Sequence, residues 1–123
     1  MKRMLMVVLT LAFVAVGSAT AQAGRQPSTA DGAKLLVRVN VAASEFKFVL
    51  NKKTAKRGVV VFRVTNVGSI QHDFQIKGRK TRMLSHGQSA TLRVTFLRKG
   101  HYPYKCTVAG HAAAGMKGVF TIT

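Results

Sequence analysis

The stretch GHYPYKCTVAGHAAAGM, residues 100–116, changes character at its single cysteine. Before it, Tyr102, Tyr104 and Cys106 share one parity, while His101 and Lys105 take the other. A period of two is the mark of a half-buried strand. After it, residues 107–115 hold little but Gly and Ala around His111 and lead to Met116. The segment therefore reads as a strand that ends on a thiol, then a loop that carries an imidazole and a thioether. Gly110 and Gly115 each precede one of those two groups, where a tight backbone bend is least costly.

The same alternation runs outward from this stretch. Leu35, Val37, Val39 and Val41 share a face, Phe46 and Phe48 flank Lys47, and Val60, Phe62 and Val64 alternate with Val61, Arg63 and Thr65. His72, Phe74 and Ile76 share a parity, as do Ala90, Leu92, Val94 and Phe96, and Phe120 and Ile122 close the chain. Arg57-Gly58, Asn66 to Ser69, Gly78, Gly87 and Lys99-Gly100 punctuate these runs as turns. No segment after the leader shows a 3.6-residue period. About seven or eight short strands predict an all-β, antiparallel β-sandwich or barrel. In that fold His72 and Cys106 both point inward at the ends of their strands.

Residues 1–23 have the layout of a secretory signal peptide: Lys2 and Arg3, an apolar run from Met4 to Val16 broken only by Thr10, and Ala21-Gln22-Ala23 as a cleavage site. An uncleaved anchor is the rival reading, but the run is short for a membrane span. Residues 24–34 form a loose polar lead-in, and 35–123 a single domain large enough for one core. The expected location is the periplasm or the outer face of a cell. The whole chain carries 20 Lys and Arg against three acids, a net charge of +17. Removing the leader's two basic residues leaves 18 against three, or +15.

Exported cysteines usually pair, and Cys106 has no partner in its own chain. A buried core thiol, an intermolecular disulfide and a metal ligand are the three readings. The neighbours bear on the choice. His72, Cys106, His111 and Met116 together supply two imidazoles, a thiolate and a thioether, the donor set of a blue-copper electron-transfer centre. Zinc would want a harder or thiolate fourth ligand than methionine.

These residues resemble the cupredoxins, the family of plastocyanin, azurin, amicyanin, auracyanin and rusticyanin. The resemblance runs from about Leu35 to Thr123. Its carriers are Asn66-Val67-Gly68 ahead of His72-Asp73-Phe74, the approach Gly100 to Thr107, and the spacing Cys-x4-His-x4-Met. It implies a Greek-key sandwich with one copper per chain. His72, Cys106 and His111 would be equatorial ligands and Met116 the axial one. His111 would present a ring edge at the surface, ringed by Val108 and Ala112 to Ala114 as an apolar docking patch. The ligand-loop spacing is nearest the rusticyanin and auracyanin pattern. Where many members have Asn after the first His, this chain has Asp73, which can accept a bond from Thr107 but not donate one when ionised. Lys105 stands where plastocyanin has a tyrosine before its cysteine.

The expected function is one-electron transport. A copper-delivery or buffering protein and a metal-free interaction module are the alternatives. The positive charge suits an acidic redox partner, such as a cytochrome or oxidase, or an anionic membrane surface. Export and the lack of an aromatic stacking platform argue against nucleic acid. No Ser-His-Asp set, carboxylate pair or phosphate loop argues for an enzyme. His86 and His101 are read as surface residues, and the protein as a monomer.

Overall fold

The computed structural model describes residues 36–123, with Ala12 and Gly17 as isolated points before them. Apart from those two points, the expected signal peptide (1–23) and lead-in (24–34) lie outside the described residues. Nine strands follow: β1 (Leu36–Ser44), β2 (Lys47–Leu50), β3 (Thr54–Ala55), β4 (Gly58–Asn66), β5 (Gln75–Ile76), β6 (Arg79–Lys80), β7 (Ser89–Phe96), β8 (Gly100–Lys105) and β9 (Lys117–Ile122). They build two sheets, ordered β2-β1-β4-β7 and β3-β9-β8-β5-β6. Among the described residues there is no helix, and so none that could cross a membrane.

The alternation seen in the sequence becomes rows across the first sheet. Val39 lies beside Phe62, which faces Leu92; Val41 lies beside Val64, which faces Ala90. In the second sheet Ile76, Tyr104 and Gly118 form a row, and Tyr102 pairs with Phe120. Between the sheets Phe62, Phe74, Phe96 and Phe120 are wholly buried. The Phe62 ring lies 5.2 Å from both Phe74 and Phe120, centroid to centroid. Each buried phenyl contributes about 1.5–3 kcal/mol of transfer free energy.

The sandwich matches expectation, and most pairings are antiparallel, but two are not. β1 runs parallel to β4, and β3 parallel to β9. The cause is the route of the chain. After the β1–β2 hairpin it crosses to the second sheet for β3, then returns to place β4 beside β1 in the same direction. Both sheets are therefore mixed. The expected strand through His72, Phe74 and Ile76 is also shorter than its alternation: only Gln75–Ile76 lie in a ladder, and His72 makes an isolated bridge to Leu84.

Candidate metal centre

His72 sits at the end of a loop that Asn66 shapes from within. The buried Asn66 amide donates to the carbonyls of Ile70 and Leu84, both at 2.7 Å, and its Oδ1 accepts from Gly68 N at 2.8 Å. The His72 backbone then exchanges two hydrogen bonds with Leu84, at 3.0 and 2.8 Å. Carrying no accessible surface, the His72 ring is fixed at both ends of its own residue. Cys106 follows β8 directly, and its amide is held by the Met116 carbonyl at 3.1 Å. The loop between them closes on itself: His111 N bonds Val108 O, and Met116 N bonds His111 O at 3.0 Å. Gly110 and Gly115 take φ values of +82° and +117°, which side chains rarely adopt, so both bends require glycine.

This backbone brings the three expected nitrogen and sulfur donors together. His72 Nδ1 lies 3.2 Å from His111 Nδ1 and 4.0 Å from Cys106 Sγ, and Cys106 Sγ lies 3.6 Å from His111 Nδ1. Among the described residues it is the one group of three or more His, Cys, Asp or Glu side chains so gathered, with donor atoms within 4.8 Å of one another. Met116, whose backbone bonds both Cys106 and His111, is fully buried in the core cluster that includes Cys106. Three lone-pair donors that face one another in a dry pocket fit a soft cation, and the set of two imidazoles, thiol and thioether is that of copper. Burial pushes the Cys106 thiol up from its ordinary range, partly offset by backbone hydrogen bonds near Asp73 and Val108.

Asp73 acts as its chemistry requires. It accepts from Thr107 N at 2.6 Å and from the Thr107 hydroxyl, tying the His72 segment to the residue after Cys106. His111 differs from His72 in being 8% exposed, with Val108, Ile70 and His86 around a shallow hollow at its edge. His86 is not idle surface: its Nδ1 meets the Gly68 carbonyl at 2.6 Å.

Two contacts of the site were not foreseen, and they come from adjacent residues in the turn between β1 and β2. Glu45 Oε1 accepts from Ser69 N at 2.7 Å and Ile70 N at 2.9 Å, and lies 3.1 Å from His72 Nε2. Hydrogen bonds, that from Ile70 first, lower the Glu45 carboxyl from 4.5 to about 2, although burial opposes them. Phe46, placed by alternation alongside Phe48, instead turns out of the strand and is 42% exposed. Its ring meets the His111 ring edge-on at 5.1 Å. The signal available for Glu45 was its rarity, one of three acids in so basic a chain.

Comparison with known proteins places these observations. The profile of copper-binding proteins of the plastocyanin/azurin family matches residues 34–123. No curated protein matches significantly. The fold is similar to a dithionite-reduced auracyanin from the photosynthetic bacterium Roseiflexus castenholzii, with TM-score 0.60 and 24% identity over 72% of this chain and 96% of that one. It is also similar to auracyanin B, with TM-score 0.61 and 23% identity over 72% and 88%. A multicopper oxidase shares the fold at TM-score 0.59 and 19% identity, over 71% of this chain and 42% of that one.

Proposed function

The chain belongs to the plastocyanin/azurin family of copper-binding proteins, and from that premise we propose that it is an exported one-electron carrier rather than an enzyme. His72, Cys106 and His111 would hold a single copper, with Met116 as the weak fourth donor. The carrying observation is the mutual approach of His72 Nδ1, Cys106 Sγ and His111 Nδ1 at 3.2–4.0 Å. Copper, when bound, supplies a one-electron couple whose two states this mixed donor set serves about equally.

The protein's own contribution is placement. Both imidazoles and the thiol are set by backbone hydrogen bonds and glycine bends, so little has to move when the charge of the site changes. The core side excludes water through Met116, Phe74 and Leu84, all without accessible surface. His111 is the one nitrogen donor that reaches the surface, and there Phe46 and Ile70 are exposed apolar neighbours. A partner pressed against that face would come within one ring of the donors.

Charge selects the partner. All 16 Lys and Arg of residues 36–123 are exposed, whereas both acids, Glu45 and Asp73, are engaged beside the donors. Such a surface draws an acidic redox protein toward it. The layout of residues 1–23 supports export.

One equivalent of Cu(II) should turn the protein intensely blue, reduction should bleach it, and the cycle should repeat. Cys106→Ser should abolish the visible band while the protein remains folded. A serine variant with the same band would refute the site. Transfer of the metal to a competing apo-protein without any thiolate colour would favour copper delivery instead.

A further inference from the structure

We propose that Glu45 is a positioning residue of the metal site: its carboxylate takes the Nε2–H of His72, so that Nδ1 is left to face Cys106 and His111. The inference rests on the copper reading for its metal arm but not for its tautomer arm.

An ionised carboxylate only accepts hydrogen bonds, so at 3.1 Å the proton between the two groups belongs to His72 Nε2. A neutral imidazole carries one N–H, and Nδ1 must then be the lone-pair nitrogen. The orientation is not left to the ring. Ser69 N and Ile70 N donate to the same Oε1, which fixes the oxygen independently of His72. Gly68 completes the seat, because a Cβ there would run into the Glu45 carboxylate. The turn that carries Glu45 belongs to the first sheet, while Asp73 ties the other side of His72 to Thr107. A carboxylate on the far nitrogen also raises the donor strength of the near one, which favours the more highly charged metal state.

Three variants separate this from a role in loop stability alone. Glu45→Gln keeps an oxygen for the two amides and for Nε2–H but removes the charge. Glu45→Ala removes both, and Gly68→Ala displaces the carboxylate without altering it. Long-range 1H–15N correlation on the metal-free protein reads the His72 tautomer. It should be pure Nε2–H in the wild type and in Glu45→Gln, and mixed in Glu45→Ala and Gly68→Ala. In the copper-loaded protein Glu45→Ala should weaken Cu(II) binding about 10–100-fold. Glu45→Gln should weaken Cu(II) about tenfold relative to Cu(I), which raises the potential by about 59 mV. A wild-type potential in Glu45→Gln overturns the proposal, and so does an unmixed Nε2–H tautomer in Glu45→Ala. A protein that takes up no copper at all would sink the copper reading and leave the tautomer result standing.

Discussion

His72 and His111 lie 5.0 Å apart, centroid to centroid, and offer the same atom to the same place, yet the chain holds them in opposite ways. One stands on a loop that Asn66 braces from within, has no accessible surface, and has its outer nitrogen against a carboxylate. The other rides a glycine-bent loop closed by its own backbone hydrogen bonds, reaches the surface, and has the edge of Phe46 against its ring. The difference teaches a division of labour: a site that must keep its metal and still pass an electron out needs one immobile donor and one accessible donor.

The strongest way to break this comparison is to delete each ring in turn. His72→Gly should lose more than about 100-fold in copper affinity, beyond what loss of an outer partner costs, and free imidazole should not restore it. His111→Gly should lose comparably but recover its colour when imidazole is added, because that ring already opens to solvent. Visible titration with Cu(II), with and without imidazole, checks both. Equal rescue of the two variants would erase the distinction.

Next in size is the effect of salt, which probes only the accessible side. Electron exchange with an acidic redox protein should slow about tenfold or more between low and high ionic strength, as seen by stopped flow. A flat profile would detach the positive surface from the exit at His111.

Acid probes the anchored side. The Glu45 carboxyl titrates near 2 in the folded chain against an ordinary 4.5. Its folded-state pKa is the lower one, so its stabilisation is complete above about pH 4.5 and is lost as pH falls toward 2. Over that window the melting temperature of the wild type should fall more steeply than that of Glu45→Gln.

Smallest is Phe46→Ala. The edge-on contact with His111 is worth about 0.5–1.5 kcal/mol beyond its buried area. Stability by denaturant midpoint should fall by about that amount while copper stays bound. A drop in copper affinity as large as that of Glu45→Ala would show that both rings are anchored alike.

Much of this was legible in the residues. Alternation placed Val39, Val41, Phe62, Val64, Val94 and Phe120 inside, and all are buried. It turned His72 and Cys106 inward, and both are buried, although His72 stands in a loop with only an isolated bridge to Leu84 rather than at a strand end. The glycines before His111 and Met116 mark real bends. What failed were features set by distant partners. Alternation says which way a side chain points but not which strand lies beside it, so the parallel β1–β4 and β3–β9 pairings left no local trace. Two-residue strands such as Thr54–Ala55 and Arg79–Lys80 are too short to show a period. Phe46 obeyed the period yet lies in the turn itself, where the period stops. Glu45 acts across 27 positions of chain, and nothing adjacent to it announces His72.

The exposed lysines and arginines, unrelieved by any free carboxylate among residues 36–123, have a further consequence. Two copies of the molecule share a large net positive charge and so repel one another at long range when ionic strength is low. On the carrier reading, that repulsion would slow self-exchange between identical copies at low ionic strength and would favour hand-over to a protein of opposite charge.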